Sequence, residues 1–325
     1  MKNKIEIVDV MRNYSLRVGT IDTYPNYYKL KTNYGPKIVN KWKDETSINK
    51  AHSCRELLVR EGFRKIDRFI PTKEGNPYAV LNNIGYSLTD EVFGRLPSLD
   101  SMKDIKIISS TLAKFHQALF KIETKSDFNP WSVNYSNGLI HINKIEDSIK
   151  HKSNKIAIDN LVLKDIAKSK EQIKQSIEMA QRVEKIAVRN ESQPKLCHGN
   201  LYLSSFLIDE YDEGWIIDLN NPTSEMPSYD LARFVSRIYK DNNCTDEVIY
   251  KFLDYYQEII PLKTEDKLWI LTYIAYPHDL WKFLYIHYVV KVTQTNNVVK
   301  EYQILSEQMF RLLGLYQNLF NYFKI

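Results

Sequence analysis

The segment LCHGNLYLSSFLIDEYDEGWIIDLN, residues 196–220, decides how the rest of the chain is interpreted. It opens with His198 and Gly199, continues as a short polar loop, and then shows two apolar runs on either side of the turn-rich stretch 209–214. Short apolar runs that flank a turn are typical of a β-hairpin. The second run ends at Asp218, so the segment predicts a carboxylate directly after a buried strand.

The composition is that of an ordinary globular protein. The chain has 325 residues, of which 43% are hydrophobic and 26% charged, and its formal net charge is +5. This length suggests two domains or one domain with two lobes. The positive charge is spread along the sequence without a dense Lys/Arg block, which does not favour a nucleic-acid partner. The three cysteines are far apart and match no metal or disulfide spacing, so a reducing compartment is expected.

No segment predicts a membrane span or a signal peptide. Residues 1–6 lack an apolar core. The most apolar stretch, residues 268–290, is interrupted by Pro277, His278, Asp279 and Lys282. A membrane-spanning helix needs a longer uninterrupted apolar run, so no transmembrane segment is expected.

The first 92 residues are expected to form a small β-rich lobe. Two hairpins are predicted, the first over residues 27–42 and the second over residues 78–89. The stretch 47–61 predicts a helix that ends at Gly62. Residues 93–325 are expected to form a larger, mainly helical lobe, because apolar residues recur at 3–4 spacing from Ile105 to Leu119 and again from Ile166 to Val183. The hairpin of residues 196–220 is the only β-structure predicted in this part, and the fold class is α+β.

This order of elements resembles the protein-kinase-like fold, with a small β-rich N-lobe and a large, mainly helical C-lobe. It is more closely similar to the aminoglycoside phosphotransferase and choline kinase superfamily. The matching motifs are His198-Gly199-Asn200, Ser205, Ile217-Asp218-Leu219 and Asp230-Leu231-Ala232. In that superfamily the first motif ends in Asp and an Asn follows seven residues after the His.

A still closer resemblance is to the CotS family of spore coat proteins. It is carried by EGFRKIDRFIPTKEGNPYAVLNNIGYSLTDEVFGR (61–95), LAKFHQAL (112–119) and CHGN (197–200). The resemblance implies synthesis in the mother-cell cytoplasm, deposition on the endospore coat, and other coat proteins as partners. The 22 tyrosines suit a protein that is cross-linked through tyrosine, although ordinary packing and surface aromatics explain them equally.

The superfamily resemblance implies a phosphoryl-transfer site in which several residues are altered. Asn200 stands at the catalytic base position, and its amide cannot take a proton; it either hydrogen-bonds the acceptor or only ties the loop together. Ser205 stands where a second Mg²⁺ ligand is expected, with a shorter reach than Asn. Asp218 is the expected first metal ligand, or alternatively a turn residue or a partner of a lysine. His198 and Asp230 are assigned to bracing the loop.

The lysine that should contact the nucleotide phosphates is replaced by Asn40. Lys37 and Lys41 lie on the same strand as Asn40. Their side chains are expected on the opposite face of the sheet, because a shift of one residue turns a strand side chain to the other face. Whether Lys41 reaches the cleft stays open. The remaining residues assigned to nucleotide binding are Glu56, with Glu61 as its alternative on the helix, and Asp90.

Two further stretches bear on ligands. The segment from Val18 to Asn26 has one glycine together with Tyr24 and Pro25, which predicts a poor phosphate cradle. Residues 268–289 are rich in Trp and Tyr, and the candidates for an acceptor-binding cation cage are Trp269, Tyr276, Asp279 and Trp281. The alternative for this segment is an ordinary aromatic core.

The sequence therefore predicts a degenerate phosphotransferase fold that acts as a structural or assembly protein of the spore coat, with no cofactor expected. The first alternative is an ATP-dependent small-molecule kinase that holds Mg²⁺ on Asp218 and phosphorylates an alcohol group. The second is a switch that binds ATP without turnover and changes a protein interaction. Fold alone does not decide between them.

Overall fold

A computed structural model describes residues 2–25, 27–122, 129–241, 244–292 and 297–325. The chain divides into two compact units. The first comprises Met1–Thr124, Lys195–Thr223 and Lys251–Ile260, and the second comprises the remaining segments. The lobes expected from the sequence are continuous, with a boundary after residue 92, whereas these units are not. The first unit takes in residues 93–124, the hairpin of residues 196–220 and residues 251–260, all of which the sequence assigns to the helical lobe.

The first unit is built on an antiparallel sheet of order β1-β2-β3-β5-β4. Its strands are β1 (Val18–Thr23), β2 (Tyr27–Thr32), β3 (Gly35–Lys41), β4 (Ala79–Leu81) and β5 (Ile84–Asp90). Both predicted hairpins are confirmed, as β2–β3 and β4–β5. The tight turn of the second places Asn82 and Asn83 at positive φ, a conformation that Asn tolerates. Strand β1 was not predicted from the sequence.

A helix covers each face of this sheet. On one face, α1 (Lys2–Met11) buries Ile7 and Val10 against the sheet residues Leu30 and Val39. On the other, Ile48 and Ala51 of α2 (Glu45–Arg60) form a cluster with Trp42, Phe69 and Tyr78. Helix α2 confirms the helix predicted over residues 47–61, and Asp44 caps it by accepting a hydrogen bond from the Ser47 amide at 2.7 Å. Helix α1 was not predicted.

The segment 196–220 forms the predicted hairpin, with β7 (Phe206–Ile208) paired to β8 (Gly214–Ile216). Helix α3 (Met102–Leu119) lies directly against it. A side chain at Gly214 would come within 2.0 Å of the Thr111 hydroxyl, so only glycine allows this approach. The apolar stripe predicted for α3 is confirmed, since Ile105, Ile108, Leu112, Phe115 and Leu119 are all fully buried.

Asp209 closes the turn of this hairpin. Its Oδ1 accepts hydrogen bonds from the amides of Tyr211 (3.0 Å) and Glu213 (2.9 Å). Its Oδ2 accepts from Trp215 Nε1 (2.9 Å) and from Lys65 Nζ (3.2 Å). Burial raises the pKa of Asp209, but these four hydrogen bonds outweigh it and lower the pKa to about 2.

We expect acid to remove the stabilisation that Asp209 provides. Because the folded-state pKa lies below that of the unfolded chain, the contribution is complete above about pH 4 and is lost as the pH falls towards 2. A shift of this size corresponds to about 2 kcal/mol of unfolding free energy. Urea unfolding from pH 7 to pH 2 should therefore show a weaker pH dependence in Asp209→Asn than in the wild type. An unchanged pH dependence would contradict this assignment.

The second unit is a helical assembly. Its helices are α4 (Trp131–Lys150), α5 (Ala157–Arg189), α6 (Tyr229–Asp241), α8 (Thr264–Ala275), α9 (His278–Tyr285) and α10 (Val298–Phe323), and α7 (Asp246–Gln257) runs across the boundary of the two units. The predicted stripe of α5 is confirmed, with Ile166, Ile173, Ala180 and Val183 buried. Further described elements are the short strands β6 (Lys195–Cys197), which belongs to the first unit, and β9 (Thr223–Glu225), and a π-helical turn over Ile286–Val290. None of the helices within the described ranges is long and apolar enough to cross a membrane.

Candidate functional site

The His-Gly-Asn loop is held in a single conformation by its own backbone. Gly199 has a φ of 77°, and a Cβ there would lie 2.4 Å from the Asn221 carbonyl oxygen, so no other residue fits. The ring of His198 is fully buried. Its Nδ1 accepts a hydrogen bond from the Asn200 amide at 3.3 Å, so Nε2 carries the ring proton and donates to the Ile217 carbonyl at 3.1 Å. His198 thus ties the loop to the residue before Asp218.

Asn200 directly follows His198 and Gly199, and its side chain is half-buried. An amide in this place can donate and accept hydrogen bonds, but it has no basic atom at neutral pH. The loop can therefore orient a hydroxyl group without taking its proton.

Ser205 ends a 3₁₀ turn over Leu203–Ser205 and is almost completely buried. Its hydroxyl oxygen accepts a hydrogen bond from the Tyr202 amide at 3.1 Å, and its carbonyl accepts from the Ile217 amide at 2.9 Å. The first contact closes the turn, and the second holds it against the residue that follows β8. The role of Ser205 as a second metal ligand stays a prediction.

Asp218 is the exposed acidic group of this site. Its backbone is left-handed, with a φ of 62°, and its carbonyl accepts a hydrogen bond from the Asn220 amide at 2.6 Å. Among the described residues, no hydrogen bond or ion pair engages the Asp218 carboxylate. Loss of hydration raises the pKa of Asp218, the nearby Asp67 carboxylate raises it further, and Arg55 lowers it. A carboxylate in such surroundings favours the arrival of a cation.

Arg55 is the central residue that sequence reasoning missed. It lies on α2, is fully buried, and donates from Nε to the Asp67 carbonyl at 2.7 Å and from NH2 to Asp67 Oδ2 at 3.1 Å. Its NH1 donates to the Leu219 carbonyl at 2.6 Å. Arg55 therefore holds the backbone next to Asp218 against α2. A signal for it exists in the sequence, because Arg55 occurs in phase with the buried Ile48, Ala51 and Leu58.

Asp67 is the ion-pair partner of Arg55, and its negative charge also acts on Asp218. It is nine-tenths buried, and while Oδ2 binds Arg55, Oδ1 is buried without a hydrogen-bond partner. Breaking a buried pair of this kind leaves an uncompensated charge, which is far more costly than losing an exposed pair. The position of Asp218 therefore depends on the Arg55–Asp67 pair.

The expected nucleotide residues are divided between the two faces of the sheet. Asn40 lies opposite Tyr27 on β2 and Ser87 on β5, so these three side chains share one face. Lys37 and Lys41 point to the other face, which α1 covers. Lys37 pairs with Asp90 at 2.7 Å.

Lys41 and Glu56 are likewise engaged elsewhere. Lys41 pairs with Glu6 of α1 at 3.1 Å, so its ammonium group lies on the side of the sheet away from Asn40. Glu56 forms two hydrogen bonds with Arg68, at 3.1 and 2.7 Å, and half of the Arg68 side chain is exposed. The helix residue that faces inward is the neighbouring Arg55, and no lysine–glutamate pair links β3 to α2 among the described residues.

An aromatic turn replaces the glycine-rich loop. Tyr24 and Tyr27 stack with their ring centroids 4.6 Å apart, and the Tyr24 amide donates to the Tyr27 carbonyl at 2.9 Å. Loss of hydration and the neighbouring Tyr24 raise the pKa of Tyr27, and Asp218 adds to this more weakly. Asn26 lies outside the described residues. The turn presents aromatic rings where a phosphate cradle needs free amides.

The acceptor candidates lie in the second unit, inside an aromatic cluster. Trp269 is buried with its ring edge on Trp131, at a centroid distance of 4.6 Å, and Tyr276 stacks on Tyr135 at 4.0 Å. Asp279 pairs with Lys240, so its charge is compensated. Trp281 stacks with Tyr285 at 5.5 Å. These contacts favour the aromatic-core alternative over a cation cage at these four positions.

Two acidic residues lie at the edge of this cluster. Asp230 is fully buried in the first turn of α6, where the helix dipole favours a negative charge. Glu225 accepts a hydrogen bond from Trp131 Nε1 at 3.0 Å, and burial raises its pKa. No group of three or more His, Cys, Asp or Glu side chains in the described part of the chain could hold a metal ion.

Solved structures share this fold over almost the whole chain. An aminoglycoside phosphotransferase from Alicyclobacillus acidocaldarius matches with a TM-score of 0.83 and 16% identity, over 96% of this chain and 94% of that one. A spectinomycin phosphotransferase in complex with ADP and spectinomycin matches with a TM-score of 0.65 and 12% identity, over 97% and 98% of the two chains. A choline kinase from Streptococcus pneumoniae matches with a TM-score of 0.56 and 17% identity, over 95% and 98%.

At such identities the likeness shows the fold alone. The expected protein-kinase-like fold is confirmed, with a small antiparallel N-lobe sheet and a mainly helical C-lobe. No family model matches the sequence. The resemblance to the CotS family is carried by the sequence motifs alone.

Proposed function

We propose that this chain is a nucleotide-binding relative of the small-molecule kinases in which phosphoryl transfer is severely slowed. Asp218 would hold a Mg²⁺–nucleotide complex, and the metal would neutralise charge on the phosphates. Asn200 would orient an acceptor hydroxyl without removing its proton. General base catalysis contributes roughly 10²–10⁴ in rate, so its loss alone makes transfer slow.

The observation that carries this proposal is the contrast between Asp218 and its surroundings. The Asp218 carboxylate is exposed, has a raised pKa and is engaged by no described side chain. By contrast, the Ser205 hydroxyl is used by the Tyr202 amide and Lys41 by Glu6. Asp218 is thus available as one metal ligand. The other groups that catalysis needs are either replaced by a different residue or already bound to another group of the protein. Mg²⁺ is commonly bound through only one or two carboxylates together with phosphate oxygens.

An active small-molecule kinase remains the second candidate, and the structural neighbours favour it over a coat role. The neighbours act on choline, spectinomycin or other aminoglycosides according to their descriptions, and some bind ADP or AMP. Amine-bearing acceptors of this kind suit a site lined by aromatic and acidic side chains. Trp131 and the half-buried Glu225 bring both kinds of side chain together, but within the packed aromatic core described above.

Radiometric measurement of ADP formation separates these two candidates. The protein is incubated with Mg²⁺ and ATP, alone and with choline, ethanolamine or spectinomycin, and Asp218→Asn serves as the matched control. We expect slow ADP formation that no acceptor accelerates. Acceptor-dependent turnover that disappears in Asp218→Asn would instead establish the active kinase.

We further propose, from the sequence motifs shared with the CotS family, that the chain is an assembly component of the endospore coat. Such a role needs a folded scaffold and protein partners, but it does not need turnover. Immunolabelling through sporulation is expected to show the chain first in the mother-cell cytoplasm and then on the spore surface. Labelling confined to vegetative cells would overturn this assignment. Dityrosine involving this chain in purified spores would support cross-linking.

A further inference from the structure

A second concave surface lies in the first unit, and Glu61 is its one lining residue that is also named above, as an alternative candidate for nucleotide binding. It is a groove of about 770 Å³ between α3, the segment that follows α2, and the β7–β8 turn. Helix α3 contributes Lys106, Ser110, Lys114 and Gln117, and Lys121 extends this row beyond the helix end. We refer to it as the α3 groove.

The acidic side chains of the α3 groove are already neutralised. Glu61 pairs with Arg60 at 3.6 Å and Asp212 with Lys103 at 2.6 Å. Glu213 pairs with Lys65. Both Arg60 and Lys103 lie outside the groove lining, so they cancel two of its three negative charges without adding to its positive ones.

The basic side chains are, in contrast, largely uncompensated. Within the described residues no ion pair involves Arg64, Lys114 or Lys121, and all three are exposed. Lys106 makes only a loose pair with Glu258, at 3.8 Å. A concave surface with an excess of one charge attracts ligands of the opposite charge, because its walls focus the field. The α3 groove is therefore expected to attract a negatively charged ligand.

The spacing of the cations indicates an elongated anion. At about 1.5 Å per residue, Lys106 lies roughly 20 Å along the helix axis from Leu119, the last residue of α3, and Lys121 follows two residues later. The helical rotation of about 100° per residue keeps Lys106 and Lys114 within an arc of roughly 80°. A single phosphate cannot reach all three. An extended peptide of about seven residues spans the same distance.

We propose that the α3 groove binds an extended acidic segment of a partner protein. A peptide can place carboxylates opposite the lysines and leave neutral residues opposite Glu61 and Glu213. A nucleic-acid backbone carries a charge at every step, so it would place phosphates beside these two paired carboxylates, where no excess positive charge attracts them. The hydroxyl of Ser110 and the amide of Gln117 line the groove and suit hydrogen bonds to a peptide backbone.

The test is fluorescence anisotropy with a labelled peptide of about ten residues in which Glu alternates with Ser. Its counterpart with Gln in place of Glu serves as the neutral probe. The groove variant is Lys114→Glu/Lys121→Glu, and the matched control is Lys174→Glu/Lys185→Glu on α5, which reverses the same number of exposed charges. We expect the groove variant to weaken binding of the acidic peptide by about tenfold or more at low salt, and the control variant to change it little.

Three results would overturn the proposal. They are an equal loss in both variants, no measurable binding of the acidic peptide to the wild type, and tighter binding of single-stranded DNA or polyphosphate than of the peptide. If the charge reversal unfolds the protein, Lys114→Gln/Lys121→Gln gives the same comparison without introducing repulsion. The peptide assay contains no nucleotide, so its outcome can be distinguished from a failure of nucleotide binding at Asp218.

Discussion

Asn200→Asp is expected to raise the rate of Mg²⁺-dependent ATP turnover by roughly 10²–10⁴ over the wild type. The physical reason is that a carboxylate accepts the proton of an attacking hydroxyl or water, which an amide cannot do. The loop should accommodate this substitution without rearranging, because Gly199 and His198 fix its backbone through contacts that do not involve the Asn200 side chain. The measurement is initial-rate ADP formation at saturating ATP.

The controls for this substitution separate base catalysis from a general effect on the loop. Asn200→Ala should show no gain, and Asp218→Asn introduced into the Asn200→Asp background should remove it. Thermal unfolding of each variant establishes that the fold is intact. A rate for Asn200→Asp equal to that of the wild type would mean that the missing lysine and the aromatic turn, and not the missing base, limit turnover.

Arg55→Ala is expected to destabilise the protein by about 3–5 kcal/mol, since it leaves the buried Asp67 carboxylate without its cation. The loss would also release the Leu219 carbonyl, which accepts a 2.6 Å hydrogen bond from Arg55. The backbone that carries Asp218 should therefore loosen. The measurement is the unfolding free energy from urea titration at neutral pH.

The chain offers a matched control at the next residue. Glu56 makes a bidentate pair with Arg68, but both side chains are substantially exposed. Glu56→Ala should therefore cost no more than about 1 kcal/mol. The double variant Arg55→Met/Asp67→Leu removes both charges and should recover much of the stability lost in Arg55→Ala. Equal costs for Arg55→Ala and Glu56→Ala would contradict the central role of Arg55.

The fold was largely predictable because its main elements carry strong local patterns. The turn at Asn82 and Asn83 marks a hairpin, and the apolar periodicity of α3 marks a buried helix. Strand β1 was missed because its burial does not alternate along the strand, so no period-2 pattern appears. Helix α1 was missed although Ile7 and Val10 have helical spacing, because the apolar residues Ile5 and Val8 beside them blur a single apolar stripe.

The site was only partly predictable, because its decisive contacts join residues that are distant in sequence. The alternation of β3 correctly separates Asn40 from Lys37 and Lys41, which is a local property. The partner of Lys41, however, is Glu6 on α1, and the partners of Arg55 are Asp67 and Leu219. A charged residue in a helix is usually predicted to be exposed, unless its position around the helix axis is compared with that of the apolar stripe. For Arg55 that phase was the available signal.

The central claim is that Asp218 gives the chain a metal-dependent nucleotide site despite the altered base and lysine positions. Titration calorimetry with ATP, with and without Mg²⁺, on the wild type and on Asp218→Asn tests it most directly. Binding of ATP to the wild type should require Mg²⁺ and should be lost in the variant. Binding that is indifferent to Mg²⁺ or unchanged in Asp218→Asn, or no binding at millimolar ATP, would contradict it and leave the fold as a scaffold for protein partners.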